Sequence, residues 1–478
     1  MTHPLPWTTQ DILDATRGRL LCGDLTRRFA GVSIDSRRIS AEDLFVAIIG
    51  QIHDGHTFAG EVVVQGVNGL VVNDDKVADL PLTAWQKKNI VCVGVADTTQ
   101  ALGALAAANR RRTTVSVAAI TGSNGKTATR RMTAGVLERK FNTLATIGNL
   151  NNEIGLPLTL LQLGRGHQWA VVELGMNHPG EIAVLGDICA PDIGLITNIG
   201  PAHLEGLGSV EGVMHAKGEL LEKIRPLGKA VLNADDALVL KLAARAQQEV
   251  VLFGSSPDAT VRAQDIQEKP PGVTFTLVLP EIRVAVRLKT PGRFMVSNAL
   301  AAAAVGYLAG LTANEIKSGL EAFTPAPGRL NVMQTANRIH IIDDTYNANP
   351  SSMEAAIGTL TSLRGHRRGI LVAGDMRELG EQAPALHTQI GAAAARSGIA
   401  RLYVTGEFAA CVAAGANAAQ MHSRDIFTGS REAILQDLKN WLEPEDWVLV
   451  KGSRAMEMEK IVQGIKEWGE SVNPITNA

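Results

Sequence analysis

The run VSVAAITGSNGKTATRRMTAGVLERK places Gly122, Ser123, Asn124, Gly125, Lys126 and Thr127, preceded by Thr121, between an apolar stretch and an amphipathic one. That pattern predicts a buried strand feeding a helix, the position of a phosphate loop. Glycines let backbone N–H groups turn toward phosphate oxygens, and the helix N-terminus adds partial positive charge. Lys126 would neutralise the β and γ oxygens, and the Thr127 hydroxyl suits Mg²⁺. The spacing departs from GxxxxGK[ST]: Ile120 stands where the first glycine would be, and only the compact GSNGKT remains. A loop of this kind serves kinases, motors, GTPases and ligases alike, so other residues must decide the chemistry.

Glu173 ends the strand-like QWAVVELG, and His203 follows IGLITNIG in the segment PAHLEG. Both fall at the carboxyl edge of a parallel sheet, where open α/β proteins bind ligands. A carboxylate there reaches a metal beside the phosphates, or equally serves a helix cap or an ion pair. A single histidine is more often structural, but this one would share an edge with Thr127, Glu173 and two Mg²⁺ ions. Lys217, in the helical pattern EGVMHAKGELLEKI, reads by itself as a solvated lysine pairing with Glu219 or Glu222.

The elements that must hold these residues are those of an α/β protein, with short β-branched runs alternating with amphipathic segments of helix length. At 478 residues the chain is long enough for about three domains. Before about residue 95 the apolar runs are short and glycine-punctuated, which predicts a small mixed domain. A central block carries the phosphate loop and ends in VTFTLVLPEIRVAVRLKTPG, whose alternation around Leu-Pro predicts a β-hairpin. NALAAAAVGYLAGL, Asn298 to Leu311, is shorter than the roughly 20 residues of a bilayer span and reads as a helix buried against a sheet. TPAPGRL, Thr324 to Leu330, has hinge composition. The last block alternates strand and helix in a doubly wound, Rossmann-like pattern, but no GxGxxG follows any of its strands.

A net charge of −2, from 46 Lys+Arg against 48 Asp+Glu, offers no basic field for nucleic acid or an anionic membrane. The four cysteines form no CxxC pair and fit a reducing cytosol. The N-terminus lacks the basic start and apolar run of a secretory signal. A cytoplasmic protein, not inserted in a membrane, is expected.

Taken in order, TGSNGKT, ELGMNHPGEI, NIGPAHLEGLGSVEGVMHAKGEL, VLNADD, PGRL, IIDDTYNANPSSMEAAI and VKGSR resemble the Mur ligase family from about Ser33 to Met458. The resemblance implies a UDP-precursor-binding domain over 1–95, a P-loop ATP-binding domain over 96–326 and a Rossmann-like ligase domain over 327–478. It implies ATP-dependent amide-bond formation with ATP and two Mg²⁺ ions as cofactors; a monomer is expected. NLNNEIGLPLTLL, DDTYNANPSSM and VKGSR resemble the branch that joins D-alanyl-D-alanine to a UDP-N-acetylmuramoyl-tripeptide in peptidoglycan synthesis. By the same resemblance Thr127, Glu173, His203 and Lys217 hold metal, Lys217 as a carbamate. Asn298, Arg329 and Asp344 contact ATP. Substrate contacts are implied at Ser36 and Arg37, at Asn151 and Asn152, and at Tyr346, Asn347, Asn349, Ser453 and Arg454. DDTYNANP serves equally well as a capping loop before a helix at Pro350. One departure stands out: Phe294 and Met295 follow PGR, where the family usually has His-Asn.

Two other readings share the phosphate loop. One is a different ligase of the same architecture, adding the third peptide residue or a glutamate to folate; the other is a P-loop NTPase switch or motor. We predict that Lys126→Ala abolishes ligation, leaves binding of the UDP-precursor nearly intact and leaves the circular dichroism spectrum unchanged. Near-normal turnover of the variant would overturn the phosphate-loop assignment.

Overall fold

Strand Ser116–Thr121 divides its side chains between two cores, with Val117 and Ala119 on one face and Ala118 and Ile120 on the other. This is why it reads as a continuous apolar run: a parallel strand covered by helices on both sides has no solvent face. In the computed structural model, which describes residues 3–50, 52–269 and 271–471, this strand lies inside a nine-stranded sheet. Trp169–Glu173 pairs with it on one side and Ile193–Ile196 on the other, both parallel. Parallel pairing continues through Lys229–Asn233, Glu249–Gly254 and Val261–Lys269. Gly272–Val278 and Arg283–Leu288 then form the antiparallel hairpin that the alternation predicts.

The alanine-rich segment is a helix packed against this sheet and against the helix Lys126–Leu137, as its composition implies. Its bounds differ from the sequence expectation. It begins at Phe294, directly after the Gly292 turn, and ends at Leu308, because Gly310 turns the chain through φ 74°.

The N-terminal region builds a five-stranded mixed sheet in the order Arg19–Cys22, Val91–Val95, Gly69–Asn73, Asp43–Val46, Gly31–Ser33. Cys22 and Cys92, distant in sequence, face each other in its antiparallel register as unbridged thiols. The C-terminal region builds a six-stranded sheet in the order Asn331–Gln334, His340–Asp344, Trp447–Lys451, Gly369–Ala373, Arg401–Val404, Ile426–Thr428. It is parallel apart from its first edge strand. The protein is therefore α/β, and its described residues hold these three larger sheets and a two-stranded one, Trp7–Thr8 with Arg28–Phe29. Among the described residues no helix is long and apolar enough to cross a membrane.

One buried charge fixes the entry to the central strands. Arg110, near the end of the helix Thr98–Arg111, donates to the carbonyl of Cys189 at 3.1 Å and to Asp192 at 3.0 Å. The same carboxylate accepts the Val117 N–H at 2.8 Å and the Arg225 guanidinium at 3.0 Å. Burial pushes the Arg110 pKa down while Asp192 opposes it. Asp192→Ala strands that guanidinium, and it is expected to lower stability by about 3 kcal/mol, the low end for breaking a buried pair because Asp192 is partly exposed. Thermal or urea unfolding of the variant checks this.

Candidate functional site

The loop after Ser116–Thr121 is fastened to the turn after Ile193–Ile196. The N–H groups of Ser123 and Asn124 donate to the carbonyl and side-chain oxygens of Asn198, at 2.9 and 2.8 Å. Thr197 Oγ1 and Asn198 Nδ2 donate back to the Asn124 carbonyl, at 2.6 and 3.0 Å. Two backbone donors that a phosphate loop offers are thus already spent. The N–H groups left for an anion are those of the helix start at Lys126 and beyond, whose first turn has no intrahelical acceptors.

Two glycines are required by the geometry. Gly122 has φ 147°, and a Cβ there would lie 1.9 Å from Thr197 Oγ1. Gly125 caps the helix at φ 82°, and a Cβ there would lie 2.3 Å from Asn298 Oδ1. Asn298 accepts the Thr129 hydroxyl at 3.3 Å and points its amide at Met295 Sδ, 3.7 Å away.

A cavity of about 920 Å³ opens between this loop and the C-terminal sheet. Of the residues singled out in the sequence, Ser123, Asn124, Gly125, Lys126, Thr127, Glu173, His203, Asn298, Arg329 and Asp344 line it. So do Tyr346, Asn347, Asn349, Ser453 and Arg454. Phe294, Met295, Phe323 and Pro325 give it one apolar end beside Asn298, suited to a planar base.

Lys126 curls back, its Nζ donating to the Gly122 carbonyl at 2.7 Å. Burial lowers its pKa, opposed by Glu173. Glu173 is buried and three side chains converge on it: the Thr127 hydroxyl at 3.0 Å, Asn151 Nδ2 at 3.0 Å and the Arg130 guanidinium at 3.3 Å. The ion-pair reading of Glu173 is thus realised through Arg130, in the same carboxylate that touches Thr127. Burial depresses the Arg130 pKa, and Glu173 works against that.

Lys217, in the helix Val210–Lys223, is 1 % exposed. Neither expected partner reaches it: Glu219 instead accepts the N–H groups of Gly180 and Ala183, at 2.8 and 3.0 Å. Burial pushes the lysine pKa well below its ordinary value, and the Lys126 charge adds to that. Lys217 does not line the cavity. Among the described residues no three His, Cys, Asp or Glu side chains converge as a metal site. Any ion here would rely on the Thr127 hydroxyl and on oxygen or nitrogen from Glu173, His203 and a modified Lys217.

Other predicted residues have different surroundings. The Thr121 hydroxyl donates to the Leu174 carbonyl at 3.0 Å, tying adjacent strands together. Asn152 accepts the Gly155 N–H at 2.9 Å at a helix start. Ser36 is buried in the N-terminal region, while Arg37 lies exposed and bidentate on Asp35, which holds that carboxyl down at about 2. None of Thr121, Gly122, Asn151, Asn152, Ser36 and Arg37 lines the cavity.

The C-terminal sheet supplies the opposite wall. Lys451 Nζ, buried, donates to Asp344 Oδ2 at 2.6 Å and to the Asn347 carbonyl at 2.8 Å. Arg329 stacks on the Tyr346 ring, 4.0 Å from its centroid. Asn349 realises the capping reading of DDTYNANP. It caps the helix Pro350–Arg364 through Ser352, and its Nδ2 donates across to Asn124 Oδ1 at 2.8 Å. Ser453 Oγ accepts the Arg377 N–H at 2.8 Å, and Arg454 pairs with Glu459 at the rim.

Four lining or supporting residues were not read from the sequence. Glu378 reaches His203 Nδ1 at 2.6 Å, a contact that holds the carboxyl below its usual range. Asp236 accepts the Ile199 N–H at 2.8 Å and caps the next helix. Lys451 lies within VKGSR, a segment singled out for its neighbours. Arg130 stands one helical turn beyond Lys126, and that spacing was its signal.

The family description "Mur ligase middle domain" matches residues 120–306, "Mur ligase, glutamate ligase domain" matches 328–454 and "Mur ligase family, catalytic domain" matches 28–110. The UDP-N-acetylmuramoyl-tripeptide–D-alanyl-D-alanine ligase of Escherichia coli (strain K12) is 38% identical over 97% of this chain and 99% of its own. A crystal structure of MurF from Acinetobacter baumannii superposes with a TM-score of 0.88 at 34% identity, covering 97% of this chain and 99% of that one. MurF ligase from Thermotoga maritima in complex with ADP gives 0.79 at 27% identity, over 92% and 97% of the two chains.

Proposed function

The chain belongs to the Mur ligase family, and from that membership we propose that it joins D-alanyl-D-alanine to the carboxylate of a UDP-N-acetylmuramoyl-tripeptide, with cleavage of ATP. The observation that carries this reading is the cavity in which GSNGKT faces the carboxyl ends of the C-terminal strands. A γ-phosphoryl group held at the loop and an amine delivered from the opposite wall would meet there. The full-length similarity to UDP-N-acetylmuramoyl-tripeptide–D-alanyl-D-alanine ligases favours this substrate pair over a single amino acid or a folate.

A carboxylate is a poor electrophile until phosphorylated. In the first step its oxygen takes the γ-phosphoryl and ADP leaves; in the second the dipeptide amine attacks the acyl carbon and phosphate departs, the amine losing its proton. The residues act mainly by positioning and charge neutralisation. Lys126 leaves the Gly122 carbonyl for the phosphates. Asn298 and the apolar end beside it hold the base. Arg329 and the Asp344–Lys451 pair close over the nucleotide from beyond the hinge, excluding water from the acyl phosphate. Mg²⁺, when bound, supplies Lewis-acid neutralisation of phosphate oxygens; Thr127, Glu173 and His203 are the residues to hold it, with Lys217 as a carbamate. A bare ammonium has three donors and no acceptor, so only the modified lysine can serve. Its burial supports that modification, which forms when the neutral amine adds to CO₂ and releases a proton. Ser36, Arg37, Asn151 and Asn152 contact the UDP-precursor side. The enzyme acts as a cytoplasmic monomer.

Purified protein given ATP, a UDP-tripeptide and D-alanyl-D-alanine is expected to release phosphate only when all three are present. Substantial ATP turnover without the acceptor would point to an NTPase switch instead. Lys217→Ala is expected to lose ligation and regain part of it with added short-chain carboxylates, whereas Lys126→Ala gains nothing from them. A fully active Lys217→Ala enzyme would sink the carbamate assignment.

A further inference from the structure

His203 and Glu378 meet across the two facing walls, and each has left-handed backbone, φ 55° and φ 64°. Neither is glycine, so each holds a conformation that L side chains rarely adopt, the kind of local strain that clusters at functional sites. Both sides are held in place. Glu205 N–H donates to the Glu378 carbonyl at 3.2 Å. The loop bearing Glu378 is pinned by Ser453 Oγ on the Arg377 N–H, and by Asp375, which accepts the N–H groups of Glu407 and Phe408 at 2.9 and 3.1 Å.

An ionised carboxylate only accepts, so at 2.6 Å the His203 Nδ1 must carry a proton, and in the neutral imidazole Nε2 is then the lone-pair nitrogen. The Glu378 side chain is half-exposed, at 50%, so the pair adds little to stability, and its geometric consequence matters more. We infer that Glu378 is a positioning residue for His203. It sets the tautomer and orientation of the imidazole from the far side of the hinge, so His203 is presented correctly only when the C-terminal sheet is seated against the central one.

The inference rests on the ligase reading for its kinetic arm; a spectroscopic arm stands apart from it. In the full-length protein, selective ¹⁵N-histidine spectra at about pH 8, with His203 assigned by His203→Gln, are expected to show Nδ1–H in the wild type and a shift toward Nε2–H in Glu378→Ala. Glu378→Ala should lower kcat by about 10- to 100-fold, as loss of a carboxylate behind a ligating histidine does, with KM for ATP within about twofold. Glu378→Gln, which keeps an acceptor, should lie between. The double variant with His203→Ala should be no slower than His203→Ala by itself. An unchanged tautomer, an unchanged kcat or multiplying effects of the two substitutions would each overturn the inference. If Glu378→Ala does not fold, Glu378→Gln carries the same comparisons. A wild type that shows the Nδ1–H tautomer but no ligation would remove the ligase reading and leave the positioning intact.

Discussion

The fastening of Ser123 and Asn124 to the Thr197–Gly200 turn is the constraint on which the rest of the site depends. It joins the ends of two adjacent parallel strands, so the loop cannot move without the sheet. It also fixes where an anion can sit, because donors committed to Asn198 leave the helix start as the open pole. From that point the other positions follow. Glu173 lies at the end of the strand on the opposite side, and its carboxylate reaches Thr127 one residue into the helix. The cavity is therefore built from strand ends, and its precision comes from the register of a parallel sheet.

The second wall has the same logic. Trp447–Lys451 lies between His340–Asp344 and Gly369–Ala373, parallel to both, and the residues facing the cavity lie at or just past the carboxyl ends of these strands. Two sheets thus present equivalent edges to one space. The contacts that cross it, Asn349 to Asn124 and Glu378 to His203, involve side chains whose backbones are independently fixed by a helix cap and by pinned loops.

The α/β class, the central hairpin, the buried alanine helix and the phosphate loop were legible because each leaves a local mark: period-two alternation, apolar runs bounded by turns, or glycines ahead of lysine. Residues whose roles arise from tertiary approach left no such mark. Glu378 is one exposed acid after one strand among several, and nothing in its neighbourhood in sequence names His203, 175 positions earlier. Lys217 shows the opposite failure. Its helix spacing suggested an ordinary surface pair with Glu219, but Glu219 serves a neighbouring helix start and the lysine faces inward. The facing of Cys22 and Cys92 was equally invisible, because it depends on strand register rather than on spacing.

The Lys126 ammonium bound to the carbonyl of Gly122 makes this site its own competitor. An arriving triphosphate does not meet a waiting cation; it exchanges one charge-assisted hydrogen bond for another. Its apparent dissociation constant is therefore the intrinsic one divided by the fraction of molecules whose lysine has swung out. The same folded-back conformation gives a partly buried ammonium an acceptor within its own loop.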